Sequence, residues 1–594
     1  MLENGAGTSV PTANDVAQAG TSYDWLTSSD GLVYWVESSP EVGHAVMSWD
    51  PSAASRRCHL AGEGVGSNLH AYGGMPYAVL PHSEIALVSA STGQVVAGTA
   101  STVSAHSYGD LAWSDGRLWC VREDAGGDEL VAADPASGEL RVLRSTGGFL
   151  ASPTANAGRL AWTQWDRDVM PWDACNVWVA DHGCSGHLGV PVHVAGSHDE
   201  SAVQPRWGTD GSLYFLSDRT GWWNLYRWHD GGTEAVAPME AECATAPWES
   251  GYANYVLLPA GRIGMTVQHG PVHRLVVVEA DRSIRAIELP YTTIKPYLAA
   301  LGDRIALIGA SPTRSQEIAV VATDGSDDIE VIRRSSGQIK ATTELSVPEI
   351  MKVRSGGADV HVLFYPPAGG ADHAPLIVRP HAGPTYHSDL RLDWEVQFFT
   401  SRGFAVADVD YRGSTGYGRA YRKALDGHWG RLDVEDCHNV AEYLLASGHA
   451  RPGAVFISGA SAGGYTALRA VCEDGPFSLA VARSAIVDPK RWATTAPRFQ
   501  QPHAAILAHD VAEVRAERVR RPVLLIHGDR DHVAPIDDVL KLAADLDDRK
   551  LLVRLLEIED AGHYLSNPTA LAAALEAELD AYAAVLKAAG PAQG

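Results

Sequence analysis

Three polar residues late in the chain have the types and order of a nucleophile with its base and orienting acid. Ser461 lies in Gly459-Ala460-Ser461-Ala462-Gly463, which fits G-x-S-x-G. Residues 455–458 before it read as a buried strand, and Leu468, Val471 and Cys472 after it fall at helical spacing. A serine on a tight strand-to-helix bend is crowded from both sides. Gly459 and Gly463 remove side chains that would clash there, and Gly464 lets the helix start close to the sheet. The competing reading is a flexible turn.

A serine hydroxyl needs a base, and the base needs a carboxylate to orient it. In VLLIHGDRDHVAP a strand ends at Gly528 and Asp531 sits in the following loop. In LLEIEDAGHYL a strand ends and Gly562-His563 follows. Loops after the C-terminal ends of parallel strands share one edge of the sheet, where Ser461 also emerges. Ser461, Asp531 and His563 are therefore the catalytic candidates. Asp529 is the alternative acid but lies nearer the strand end, and His527 and His532 read as loop histidines.

A tetrahedral intermediate needs two donors for its oxyanion. The backbone N–H of Ala462 supplies one. Gly383, in PLIVRPHAGPTYH after an early strand, supplies the other, against the reading of His381-Ala382-Gly383-Pro384 as an ordinary turn. Trp492 and Phe499 are candidate walls of a substrate side-chain pocket, with core packing as the other reading. Glu240 and Glu242 in MEAECATAPWE are candidates to bind a free amino terminus, with a solvated loop as the other reading.

The elements that must hold these residues follow two grammars. From about Ser346, strand-like runs (PLIVRPH, FAVADVDY, VFISG, VLLIHGD, LLVRLLEIE) alternate with helical stretches such as CHNVAEYLLASG. That alternation means a parallel sheet covered on both faces. Before about residue 340 the chain repeats a small turn followed by an alternating apolar run. The starts fall at Gly31, Gly73, Asp115, Ala157, Asp210, Ala260 and Gly302. A spacing of about 40–50 residues is that of four-stranded propeller blades, and seven starts suggest seven blades. The competing reading is a sandwich of unrelated hairpins. The fold class expected is an N-terminal all-β seven-bladed β-propeller over 26–345 and a C-terminal α/β-hydrolase domain over 346–594. Residues 1–25 form a segment that could pack on the hydrolase domain.

At 594 residues the chain is long enough for two or three domains, and 45% apolar with 20% charged residues is a globular composition. A net charge of −25 argues against a nucleic-acid partner or adsorption on anionic lipid. No apolar run is long enough to span a bilayer. The first residues, MLENGAGTSVPTANDV, lack the basic start and apolar core of a secretory signal. Seven scattered cysteines with no C-x-x-C pair read as reduced thiols, although Cys175 and Cys184 could meet across a hairpin. The expectation is a cytoplasmic enzyme with no metal and no cofactor, with a homo-oligomer left open.

The C-terminal half resembles the catalytic domain of the prolyl oligopeptidase family of serine peptidases. PHAGP, DYRGSTGYGRAYR, HWGRLDVEDC, GASAGGYTAL, HGDRDHVAP and AGHYL occur in that family's order. QPRWGTDGSLYFLSDRTGWWNLYR and MPWDACNVWVAD resemble propeller segments of its acylaminoacyl-peptidase and dipeptidyl-peptidase branch. The resemblance implies Ser461, Asp531 and His563 as the triad, Gly383 and Ala462 as oxyanion donors, and a propeller that screens substrates by size. It implies an exo-acting peptidase on short peptides. The alternative is an amidase, esterase or acyl transferase for a specialised small molecule. Departures bear on specificity: Ala382 stands where the family usually has glycine, Ala71 in His70-Ala71-Tyr72-Gly73-Gly74 where relatives often have an acid, and Gln500 follows Phe499 in place of glutamate.

Overall fold

The computed structural model describes residues 10–588 apart from 40–41, 60–63, 99, 103–105, 184–186, 327, 336–343, 509–512 and 566. The chain forms two compact units. One is Thr21–Ser335, and the other joins the residues before it to those after it.

The first unit consists of seven antiparallel sheets in chain order, six of four strands and a last one of five. These are the blades of a seven-bladed propeller. The repeat seen in the sequence is the turn between the first two strands of a blade. Asp30-Gly31, Asp115-Gly116, Ala157-Gly158 and Ala260-Gly261 each place two successive residues at positive φ, the turn whose twist matches that of the strands it joins. Blade 2 departs from this rule. Gly73 precedes its first strand, Tyr77–Val79, and the turn before its second, Ile85–Val88, uses His82-Ser83 at φ 62° and 60°. Without glycine that turn carries no sequence signal. The ring closes by packing. Tyr23, Leu26, Val33 and Trp35 of blade 1 share a core with Ala306, Ile308, Ile318 and Val320 of blade 7. Lys295 reaches Asp24 at 2.6 Å, and Arg333 pairs with the fully buried Glu37. Ser22–Ser29 is the innermost strand of blade 1, so the terminal segment ends before Ser22 and not at residue 25.

The second unit is built on an eight-stranded sheet. Its spatial order is Glu349–Ser355, Ala358–Tyr365, Ala405–Asp410, Ala374–Pro380, Ala450–Ala460, Leu479–Arg483, Val523–Gly528 and Leu552–Ile558. Ala358–Tyr365 is antiparallel to both neighbours, and the remaining pairs are parallel. Neighbouring residues of a strand face opposite sides, and the sheet uses both. Ile457 joins the core under helices Leu432–Ala446 and Ala462–Ala470. Phe456 stacks on Tyr582 of the terminal helix Pro568–Ala588, with ring centroids 4.6 Å apart. The helix Ala13–Gln18 opens with a capping box between Thr12 and Asp15 and packs on that terminal helix. Among the described residues no helix is long and apolar enough to cross a membrane. Cys184 lies outside the described residues, and Cys175 is a buried free thiol.

Candidate active site

Strand Ala450–Ala460 passes to helix Ala462–Ala470 through one residue, Ser461, at φ 53° and ψ −117°. Such backbone costs about 1–3 kcal/mol and persists where its surroundings enforce it. Here the Ser461 N–H donates to Arg483 O on the next strand at 2.9 Å, and Tyr465 N–H returns to Ser461 O at 3.0 Å. The bend is closed by glycines. A Cβ on Gly459 would lie 2.3 Å from Gly463 O, one on Gly463 2.2 Å from Pro380 O, and one on Gly464 2.9 Å from Ala485 Cβ.

Two loops from the same edge of the sheet complete a hydrogen-bonded line. His563 Nε2 is 3.0 Å from Ser461 Oγ, and His563 Nδ1 is 2.8 Å from Asp531 Oδ2. Asp531 is buried, and its other oxygen accepts the Val533 and Ala534 N–H groups at 2.9 and 2.8 Å. With Nδ1–H donating to the carboxylate, Nε2 carries the lone pair that faces the hydroxyl. The competing residues take other roles. Asp529 makes no bond to His563. His527 donates to Ala534 O at 2.8 Å, and burial pulls its pKa down. His532 is exposed.

Ala462 is the first residue of its helix, where backbone N–H groups lack intrahelical acceptors. Gly383 has φ 127°, and a Cβ there would come within 3.0 Å of Thr385 N. Its loop is held by residues that the sequence did not single out. His381 Nδ1 lies 2.7 Å from Ala382 O and Nε2 lies 2.6 Å from Ser414 Oγ. Burial pushes the His381 pKa down to about 3, so the ring is neutral. It donates through Nδ1–H to the Ala382 carbonyl, and its Nε2 faces the Ser414 hydroxyl, which as a donor also lies 2.7 Å from the Tyr411 carbonyl. Because a peptide unit is planar and trans, fixing the Ala382 carbonyl also fixes the Gly383 N–H on the opposite side. Tyr411 stacks on His381 and donates to its carbonyl at 2.9 Å. Thr385 Oγ1 meets His503 Nε2 at 3.0 Å, and burial also drives the His503 pKa down to about 3. The segment DYRGST, quoted above only for resemblance, carries two of these restraints.

The remaining candidates make contacts of their own. Trp492 is buried, donates Nε1–H to Val533 O at 2.8 Å and belongs to the hydrolase core beside Trp429. Phe499 is buried as well. Glu242 turns inward and accepts the Trp223 N–H at 2.9 Å, whereas Glu240 is exposed. Both glutamates belong to the propeller unit. Ala71 is exposed, and Gln500 is buried at the start of helix Gln501–Leu507.

Residues 390–588 match the model of the prolyl oligopeptidase family. A puromycin-hydrolyzing peptidase of Mycobacterium tuberculosis superposes with a TM-score of 0.91 at 30% identity, over 98% of this chain and 97% of that one. A puromycin hydrolase superposes at 0.89 with 26% identity, over 98% and 96%. The acylamino-acid-releasing enzyme of Rattus norvegicus is 27% identical over 257 residues, which are 40% of this chain. The match spans about a third, 34%, of that enzyme's own length.

Proposed function

The chain belongs to the prolyl oligopeptidase family, and from that premise we propose that it is a serine peptidase cleaving amide bonds of short peptides or aminoacyl compounds. The observation that carries this reading is the line Ser461–His563–Asp531, with spacings of 3.0 and 2.8 Å at a strained serine. Ser461 Oγ attacks the amide carbonyl as His563 Nε2 takes its proton. Asp531 holds the imidazole in the required tautomer and stabilises the imidazolium that forms. The Ala462 and Gly383 N–H groups receive the oxyanion. His563 then protonates the leaving amine, and water attacks the acyl-enzyme by the same route in reverse. The chemistry uses no metal and no cofactor.

The substrate class rests on the relatives. Enzymes that release acylamino acids or hydrolyse puromycin act on small amides, and the second of these likenesses extends over nearly the whole chain. An exo-acting aminopeptidase, dipeptidyl-peptidase or acylaminoacyl-peptidase activity is therefore favoured over an esterase or acyl transferase. Buried free thiols at Cys120, Cys243 and Cys437 suit the reducing cytoplasm.

The test has two arms. A fluorophosphonate probe followed by peptide mapping is expected to place the adduct on Ser461, and an adduct on another serine overturns the assignment. Aminoacyl anilides, dipeptide anilides, an acetylated aminoacyl anilide, puromycin and p-nitrophenyl esters then rank the substrates. Turnover of esters alone would overturn the peptidase reading.

A further inference from the structure

We propose that the axial cavity of the propeller binds a small oxyanion, a carboxylate or an inorganic tetrahedral anion, at Arg206. The argument starts from the internal repeat. In blades 1, 3, 4 and 5 the innermost strand carries a bulge in which two residues face one: Trp25-Leu26 opposite Trp35, Asp110-Leu111 opposite Cys120, Ser152-Pro153 opposite Trp162 and Gln204-Pro205 opposite Phe215. The first residue of each pair has positive φ, at 47°, 54°, 56° and 55°. The next position is therefore equivalent in all four blades, and it is occupied by Thr27, Ala112, Thr154 and Arg206.

All four line one cavity of about 550 Å³ within the propeller. Three blades offer a small neutral side chain at this position and the fourth offers a guanidinium. Arg206 is half-buried, and burial pulls its pKa down. Among the described residues no carboxylate lies within ion-pairing distance of it. Its nearest recognisable partner is the Tyr255 ring, 5.9 Å from centroid to Cζ. By contrast, neighbouring Arg159 donates to Gly211 O at 2.7 Å and lies 4.4 Å over Trp207.

Asp110 is the one acid among the described lining residues. It is buried, accepts the Ser152 N–H at 2.6 Å and faces Ser250, and burial raises its pKa. Its carboxyl thus has a backbone donor of its own and does not pair with Arg206. An arginine fork that opens into a cavity with no acid paired to it matches two oxygens of one anion.

The experiment uses the full-length protein. Calorimetry with acetyl-glycine, inorganic phosphate and the neutral acetyl-glycinamide is run on wild type, Arg206→Met and Arg206→Lys. Crystals are soaked in selenate and anomalous density is sought beside Arg206. The expected result is saturable binding of at least one anion and none of the amide. Arg206→Met should lose about tenfold or more in affinity, the scale of one charge-assisted hydrogen bond, with partial retention by Lys. Acetyl-glycine binding more tightly assigns a carboxylate ligand, and phosphate binding more tightly assigns an inorganic one. Unchanged affinity in a folded Arg206→Met protein, checked by its thermal transition, overturns the proposal. So does selenate located away from Arg206, or no binding of either anion to wild type. If Arg206→Met does not fold, the Lys variant and the selenate position decide.

Discussion

The repeat turns of the propeller and the nucleophile bend of the hydrolase unit use glycine for opposite purposes. At the repeat turns, glycine sets the backbone direction. Gly31, Gly116, Gly261 and Gly302 all have positive φ, and a Cβ at any of them would meet nothing within 4 Å. In the hydrolase unit, Gly459, Gly463 and Gly464 have no room for a Cβ. The first kind sets backbone direction at many independent places, and its loss at one blade leaves the other blades unaffected. His82-Ser83 shows that a blade can do without it. The second kind lets three chain segments approach closely enough to hold one oxygen in place. Tolerance at the repeat turns and intolerance at the bend follow from whether the glycine spares a torsion or spares a volume.

Substitutions can sharpen or break this contrast. The largest effect is expected at the nucleophile. Ser461→Ala should lower turnover by about 10⁶-fold, as removal of a triad serine does, with no change in the thermal transition. Retention of more than a trace of activity would point to another nucleophile. Asp531→Asn leaves the shape and spoils the tautomer of His563, so kcat should fall by roughly 10⁴-fold. Steady-state kinetics on one anilide substrate measures both.

The propeller should respond in stability and not in chemistry. Glu37→Ala removes the buried carboxylate that Arg333 meets at the seam between blades 1 and 7. Breaking a buried pair costs about 3 kcal/mol or somewhat more, read as a lower denaturation midpoint of the propeller transition. An unshifted midpoint would mean that the seam does not hold the ring. Gly463→Ala forces Pro380 O or the bend to give way. A displacement of about 1 Å at the nucleophile costs on the order of 10²-fold in kcat/KM, against an unchanged rate for Gly302→Ala.

The pH profile adds a smaller test. His563 must be neutral to act as base, so kcat/KM should fall on the acid side by about tenfold per unit. Burial holds the His381 and His503 pKa values at about 3. A charge in that environment is disfavoured, so both rings stay neutral until far below the working range. The acid limb should therefore have a slope of one. A slope of two would mean that the loop carrying Gly383 titrates together with the base. The smallest effect is expected from Gly302→Ala, at φ +62° with open space around it. It should cost about 1 kcal/mol for an alanine in left-handed backbone, visible in the melting of the propeller alone.

Much of the architecture was legible because it is written in adjacent residues. Six of the seven repeat starts mark turns into second strands, and the one that does not, Gly73, belongs to the blade whose turn lacks glycine. The elbow was legible for the same reason, since a forbidden volume must be vacated by the residue that would fill it. The N-terminal boundary was read a few residues late, because Tyr23 is buried in a core that blade 1 shares with blade 7, which adjacent residues do not announce.

By itself, then, the sequence determined the repeat, the parallel sheet and the serine's bend, all of which are local rules of backbone and pattern. It also ordered an acid and a histidine after strand ends. Only the tertiary structure decided which groups meet. His563 reaches Ser461 across 102 residues of chain. Glu242 spends its carboxylate on a backbone N–H of its own unit, Trp492 sinks into the core, and His381 fixes a peptide plane. Arg206 looks like any arginine in the sequence, and its isolation exists only once seven blades have closed around it. The physical reason is that a torsion is set by the residue that bears it, whereas a side chain's partner and its degree of desolvation are set by everything the fold packs nearby.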